Sequence, residues 1–351
     1  MKSQPLMQVV VVSLFCCLVH ACACAGDSQS AMRLLAAQGT AENGVRANGS
    51  LRVQGTQLVN QTGEPLQLRG LSSHGIHYYP NFTNIRALLE IKEKGANLFR
   101  VAMYADSTGG GYNDGGTNRT LNKRLLRLAV ENSLAADLYT IIDWHLLRDR
   151  NPLIKVKRAM EFFDEMSRIY AHEPGVIYEI CNEPNGDTTW QDIKDYAEQV
   201  IPVIRKNAPE AVIIVGTPRY SSKVLDTLAD PLDFDNILYA YHMYTGNGNY
   251  EYIALLDTAR EKGIPVFVSE WGISAPKSGA ATIDTEEGLA FLRYMRQHSI
   301  SWAYWTLSNV NRDYAVIRND VDKLSGWDDG DLTIPGRIIF SALKNGFSEE
   351  H

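Results

Sequence analysis

Cysteine is scarce where a disulfide-stapled domain would need it. Of five cysteines in 351 residues, four (Cys16, Cys17, Cys22 and Cys24) fall within the first 25, and only Cys181 lies beyond. A chain processed after residue 25 can form no internal disulfide and no zinc site built on several thiolates. Excess positive charge is absent too: 34 Lys and Arg stand against 41 Asp and Glu, a net charge of −7. Without a block of basic residues, neither nucleic acid nor an anionic membrane is an expected partner. Long apolar runs are also missing. The main one, Val9 to Val19, falls short of the roughly 20 residues of a membrane span. Lying between Lys2 and Ala-Cys-Ala-Cys-Ala at 21–25, it reads as the apolar centre of a secretory signal peptide cleaved after Ala25. Lipidation of Cys22 fits less well, because His20 is out of place in a lipoprotein signal. A secreted, extracellular protein is expected. Asn48, Asn60, Asn81 and Asn118 head Asn-x-Ser/Thr sequons, which matter only in a eukaryotic secretory pathway.

What remains has the composition of a folded, enzyme-sized chain, with 45% hydrophobic and 21% charged residues, 27 Gly and 13 Pro. Residues 26–50 are polar and aperiodic, which predicts a flexible lead-in. Leu51-Arg-Val-Gln and Leu58-Val-Asn, with Gly55 and Gly63 at turns, predict a short hairpin of a size to plug one end of a barrel. Short β-branched or aromatic runs then recur at 66–72, 97–103, 138–144, 176–181, 212–216, 237–242, 265–269 and 300–305. Amphipathic stretches lie between them, among them 119–136, 154–171, 190–207, 250–262, 284–298 and 336–345. Strands alternating with helical patterns mean βαβ units and a parallel sheet. Eight of them fit a closed (β/α)8 TIM barrel of the α/β class, spanning 51–351 as one catalytic domain. An open dinucleotide-binding sheet would carry a Gly-rich turn after its first strand, where this chain has Ser72-Ser73-His74-Gly75.

Polar residues gather where the strands end: His74; Arg100 and Tyr104; Asp143-Trp144-His145; Asn182-Glu183-Pro184; His242-Met243-Tyr244; Glu270-Trp271-Gly272; Trp305. In a parallel barrel these ends converge on the rim that builds active sites. Arg100 inside an apolar strand is costly unless paired, so it predicts a nearby carboxylate. Glu183 and Glu270, on strands four and seven, can approach across the barrel. Carboxylates about 5–5.5 Å apart are the equipment of a retaining glycosidase, one donating a proton and one attacking the anomeric carbon. No cofactor is called for, and His74, His145 and His242 lack the tight spacing of metal ligands. Six Trp and 17 Tyr exceed what a core of this size needs and hint at a sugar-binding cleft. Cys181, inside a strand, reads as a small buried hydrophobe.

Five motifs in order are Ser-Ser-His-Gly (72–75), Phe-Arg-Val-Ala-Met-Tyr (99–104), Ile-Ile-Asp-Trp-His (141–145), Tyr-Glu-Ile-Cys-Asn-Glu-Pro-Asn-Gly (178–186) and Val-Ser-Glu-Trp-Gly (268–272). Together they resemble glycoside hydrolase family 5, in particular its bacterial-type endo-β-1,4-glucanases, from roughly Leu51 to Phe347. The resemblance implies Glu183 as acid/base and Glu270 as nucleophile. It implies that Arg100 and Tyr244 orient Glu270, that His242 tunes Glu183, and that Asn182 bonds the sugar 2-hydroxyl. His145 would contact the −1 sugar and Trp305 would form its floor. His74, Tyr78, Tyr79 and Tyr104 would line the non-reducing side, with Tyr244 also touching substrate. Two departures concern distal subsites: Tyr78 stands where relatives often have Trp, and Ser308-Asn309-Val310-Asn311-Arg312 replaces a stretch carrying Lys and Glu. The expected partner is a β-1,4-linked glucan such as soluble or amorphous cellulose, cut internally by a monomer. A β-mannanase, xylanase or xyloglucanase would use the same two carboxylates. A non-catalytic carbohydrate-binding protein would more often have lost one of them.

Overall fold

The computed structural model describes residues 43–246, 251–275 and 283–345. The expected signal peptide and residues 26–42 lie outside the described residues. Eight parallel strands close into a barrel: β1 (Arg69–Ser73), β2 (Leu98–Tyr104), β3 (Tyr139–His145), β4 (Val176–Glu179), β5 (Ile213–Val215), β6 (Ile237–Tyr244), β7 (Val266–Gly272) and β8 (Trp302–Leu307). Neighbours in sequence are neighbours in space, and β8 pairs with both β7 and β1. All seven residues of β3 and of β7 are buried. Strands covered on both faces need apolar residues at nearly every position, which explains their unbroken sequence pattern.

Among the described residues, seven helices of nine or more residues surround the barrel: α1 (Ile85–Glu93), α2 (Gly115–Ala135), α3 (Val156–Ile169), α4 (Trp190–Asn207), α5 (Tyr252–Glu261), α6 (Thr285–Gln297) and α7 (Ile334–Asn345). Local chemistry starts them. The Asn84 side chain accepts the backbone N–H of Arg86 and Ala87 at the head of α1, and Thr189 with Asp192 forms a capping box on α4. The crossover after β5 departs from the repeat, carrying the short turn Pro218–Ser221 and the 3-10 turn Val224–Ala229 in place of a long helix.

One end of the barrel is apolar. Leu68, Leu98, Tyr139, Ile141, Ile177, Ile214, Leu238, Ala240, Phe267 and Ala303 form a cluster closed from below by Leu51 and Leu58. Leu51 precedes and Leu58 lies within a two-stranded hairpin, Arg52–Gln54 against Gln57–Val59, which is the expected plug. Val53 N–H donates to Asn236 Oδ1 (2.9 Å) and fixes it in place. The expectation of a flexible lead-in through residue 50 needs correction. Val45–Asn48 is a helical turn, Val45 packs on the floor cluster, and Tyr139 OH donates to the Gly49 carbonyl (2.7 Å). Three of the sequon amides are already engaged: Asn48 with Gly44 O, Asn60 with Asn48 Oδ1 and Asn118 with Asp114 O. Asn81 is exposed.

Removing the plug's anchor leaves a cavity that the rigid barrel end cannot collapse to fill. Leu58→Ala should therefore cost about 2–5 kcal/mol of unfolding free energy in a urea titration, with the barrel's circular-dichroism spectrum retained.

Candidate active site

The site grows out of the floor by strand periodicity. Side chains two apart share a face of a strand. Above Leu98 on β2 come Arg100 and Tyr104; above Tyr139 and Ile141 on β3 come Asp143 and His145; above Ile177 on β4 comes Glu179; above Leu238 and Ala240 on β6 come His242 and Tyr244. Strand β7 breaks the rule usefully. Pairing runs Ala240↔Phe267 and then His242↔Glu270, so β7 carries one extra residue, a bulge. Ser269 and Glu270 therefore both contact interior groups, while Trp271 packs edge-on against Phe291 of α6 (5.5 Å) and Trp302 (5.8 Å). Strand β4 stops at Glu179, so Asn182 and Glu183 stand in the irregular segment above it rather than on the strand. That segment presses on β5: a Cβ on Gly216 would lie 2.2 Å from the Cys181 carbonyl, so only glycine fits there. Cys181 is a buried free thiol, pushed well above its usual pKa by burial.

Arg100 is fully buried and meets three carboxylates: Nε to Glu179 (2.6 Å), Nη1 to Glu270 (3.0 Å) and Nη2 to Asp143 (3.0 Å). Nη2 also donates to Asn182 Oδ1 (2.6 Å). One guanidinium cannot fully compensate three charges, and the acids divide accordingly. Burial opposes ionisation of Glu179, but Arg100 outweighs it and drives the carboxyl down to about 2. At Asp143 burial prevails over Arg100, and the pKa rises well above the carboxylate range. Burial likewise opposes the Arg100 charge, yet the three acids raise its pKa further.

Glu270 accepts a hydrogen bond from Tyr244 OH (2.7 Å) as well as from Arg100. Tyr244 reaches it because residue 272 is glycine; a Cβ there would sit 2.7 Å from the tyrosine ring. Glu183 Oε1 lies 3.0 Å from His242 Nδ1. Oxygens of Glu183 and Glu270 approach within 4.8 Å of one another and of a His242 nitrogen. Both His242 nitrogens face protein partners, Glu183 on one side and Ser269 on the other. Burial would lower the His242 pKa, but Glu179 and Glu183 reverse that and raise it to about 9. His145, by contrast, falls to about 4 through burial, with Nδ1 at 2.7 Å from Asp143 Oδ2 and Nε2 at 3.4 Å from Asn182 Nδ2.

Aromatic rings line the cleft around these groups. Trp305, only 4% exposed, stacks on His145 (5.2 Å) and tilts against His74 (5.2 Å). His74 also meets Tyr79 (4.8 Å), Tyr104 (6.4 Å) and Tyr78 (6.0 Å), and burial with the neighbouring His145 lowers its pKa to about 4. Tyr78 is 44% exposed at the outer edge. The residues expected to act in catalysis or to bind substrate thus converge on one mouth of the barrel, whereas Trp144 and Trp271, also at strand ends, pack against the surrounding helices. Glu179, Ser269 and Tyr220 were not singled out. Glu179 had a signal, since it lies two residues above Ile177 on the inward face. Ser269 had the same signal, two residues above the inward Phe267; it is Glu270 that reaches the interior through the bulge. Tyr220, 52% exposed on the rim, is presented by a left-handed turn through Arg219, Tyr220 and Ser221 (φ 55°, 61° and 54°). That turn is tied to the Glu183 segment: Ser221 Oγ donates to Asn182 O (2.6 Å) and Tyr220 N–H to Pro184 O (2.9 Å).

Fold and site together define an eight-stranded α/β barrel with two facing carboxylates at its mouth, the architecture of a glycoside hydrolase. The family model described as Cellulase (glycosyl hydrolase family 5) matches residues 59–311, and the chain belongs to that family. Among its relatives, an endoglucanase of Clostridium saccharobutylicum is 39% identical over 298 residues, 84% of this chain and 65% of the relative. Endoglucanase A of Butyrivibrio fibrisolvens is 39% identical over 286 residues, 81% and 66%. The chain thus spans about two thirds of the length of these curated relatives. The catalytic domain of Thermobifida fusca endoglucanase Cel5A, solved in complex with cellotetraose, superposes with a TM-score of 0.79 at 33% identity, covering 86% of this chain and 99% of that one.

Arg100→Met would leave three buried carboxylates without their counter-ion, at a cost of about 3–5 kcal/mol at pH 7. The sign of the pH dependence should invert. With Arg100 present, Glu179 titrates below its unfolded value, so its stabilisation is lost as the pH falls from about 4.5 towards 2. Without Arg100, burial holds its pKa above the unfolded value, and the variant should regain stability as the pH falls from 7 to 5. Urea titrations at both pH values measure this.

Proposed function

We propose that the protein is a secreted, retaining endo-β-1,4-glucanase that hydrolyses internal bonds of soluble or amorphous cellulose by double displacement. The observation that carries this reading is the approach of Glu183 and Glu270 within 4.8 Å, each in a different environment. Carboxylates this close leave no room for a water between one of them and the sugar, as inversion would require, and suit direct attack. Glu270, fixed by Tyr244 and Arg100, is the nucleophile: both donors stabilise its negative charge and aim it across the cleft. Glu183, against His242, protonates the leaving oxygen and then activates water for the second step. Asn182, oriented by Arg100, is placed to meet the sugar 2-hydroxyl. His145, kept uncharged, offers a neutral imidazole to the −1 sugar, with Trp305 beneath it. His74, Tyr78, Tyr79 and Tyr104 line the non-reducing side. Tyr220, on the rim beside the Glu183 segment, stacks the leaving portion of the chain. Binding of cellotetraose by the Thermobifida fusca relative supports a β-1,4-glucan substrate. Export rests on the apolar run Val9–Val19 and the small residues at 21–25. The protein acts as a monomer.

NMR of early products from a cello-oligosaccharide should show the β-anomer first; an initial α-anomer would contradict double displacement. Glu183→Ala should lose several kcal/mol of barrier stabilisation, at roughly 1.4 kcal/mol per tenfold in rate, and regain turnover with azide on an aryl cellobioside. Glu270→Ala should not be rescued in that way. A swap of the two behaviours would reverse the assignments.

Tyr78→Trp should tighten binding of longer cello-oligosaccharides by about 1 kcal/mol while leaving cleavage of the shortest substrates unchanged. Equal effects on both, read from KM across a length series, would remove Tyr78 as a distal platform.

A further inference from the structure

Two buried groups beneath the mouth take no part in the scheme above, Glu179 and Ser269. They continue a hydrogen-bonded path that starts at Glu183. Glu183 Oε1 faces His242 Nδ1 at 3.0 Å, His242 Nε2 faces Ser269 Oγ at 3.0 Å, and Ser269 Oγ faces Glu179 Oε1 at 2.7 Å. From there Glu179 Oε2 meets Arg100 Nε at 2.6 Å, and Arg100 Nη1 meets Glu270 Oε2 at 3.0 Å. The path joins the two carboxylates of the mouth through the barrel interior, and every member but Glu183 is buried.

The hydrogens along it are determined by elimination. An ionised carboxylate only accepts, so Glu179 cannot donate to Ser269. Ser269 has one hydrogen, and it must go to Glu179. Its oxygen can then only accept from His242, so Nε2 carries a hydrogen in every state of the ring. A neutral His242 is therefore the Nε2–H tautomer, with the Nδ1 lone pair facing Glu183. A hydrogen bond at 3.0 Å on that side needs one more proton, held either by Nδ1 or by the carboxyl.

We propose that Ser269 and Glu179 are positioning residues that pin a proton on His242 Nε2, so that Nδ1 and Glu183 share a second proton and His242 serves as the store from which the acid is charged. The inference rests on the reading of Glu183 as acid/base. The balance is one proton per step. In the first, the shared proton passes from Glu183 to the leaving oxygen as the glycosidic bond breaks and the bond to Glu270 forms. In the second, water adds to the anomeric carbon, the bond to Glu270 breaks, and the water's proton returns to the Glu183–His242 pair. The groups facing His242 are Glu179 on β4, Glu183 above it, Glu270 on β7 and, at longer range, Asp143 on β3. The nearest cation, Arg100, is already bonded to Glu179, Glu270 and Asp143. The surroundings therefore favour a protonated pair, in keeping with an imidazole raised to about 9.

Histidine 15N NMR on the whole protein tests this without turnover, and thus independently of the substrate. The wild-type ring should show Nε2 protonated at every pH, with only Nδ1 titrating. Ser269→Ala removes the acceptor and should lower the titration midpoint by at least one pH unit, while Ser269→Thr, which keeps the hydroxyl, should restore it. In kinetics on a soluble β-1,4-glucan, the alkaline limb of kcat/KM should fall by the same unit in Ser269→Ala, about tenfold in rate above the limb, with the acid limb unmoved. An Nδ1–H tautomer in the wild type would overturn the proposal, as would a Ser269→Ala midpoint equal to that of the wild type. Absence of glucan hydrolysis would instead overturn the functional reading and leave the tautomer result standing.

Discussion

A single buried cation organises the mouth of this barrel. Arg100 has no contact with water, so its charge is tolerable only because Glu179, Glu270 and Asp143 surround it. Breaking such a cluster exposes each member to an uncompensated desolvation cost. That cost constrains β2, β3, β4 and β7 together, and it fixes the orientation of Glu270 and Asn182 before any substrate arrives. The electrostatic arrangement is therefore built during folding and needs no reorganisation at the moment of reaction.

The barrel separates two jobs along its axis. Below Arg100 the strands contribute apolar side chains, closed by Leu51 and Leu58 of the hairpin segment. Above it the same inward positions carry His145, His242, Tyr104 and Tyr244. The apolar end supplies stability and the polar end spends some of it, in unpaired acceptors such as Asp143 Oδ1 and in the left-handed turn at Arg219–Ser221.

Much of this was legible in the sequence, for identifiable reasons. Strands buried on both faces announce themselves as apolar runs, and eight of them separated by helical patterns leave few architectures. Arg100 stood out because an arginine in such a run demands a partner; three carboxylates answered. Glu183 and Glu270 stood out as the acids at two strand ends. Other features had no local signal. The β7 bulge depends on pairing with β6, so nothing in Val-Ser-Glu-Trp-Gly indicates that Ser269 and Glu270 both reach the interior. The packed segment at 43–50 draws its order from Asp137 and Tyr139, some ninety residues away. Tyr220 gains its place from a turn held by the carbonyls of Asn182 and Pro184, contacts made only in the folded barrel.

The central claim is that Arg100 and Tyr244 make Glu270 the attacking group. Trapping with a 2-deoxy-2-fluoro cellobioside bearing a good leaving group tests it most directly, since the intermediate accumulates on the nucleophile itself. Mass spectrometry of the digested protein should find one added glycosyl unit, on the peptide containing Glu270. An adduct on the Glu183 peptide, or inhibition with no covalent adduct at all, would contradict the account.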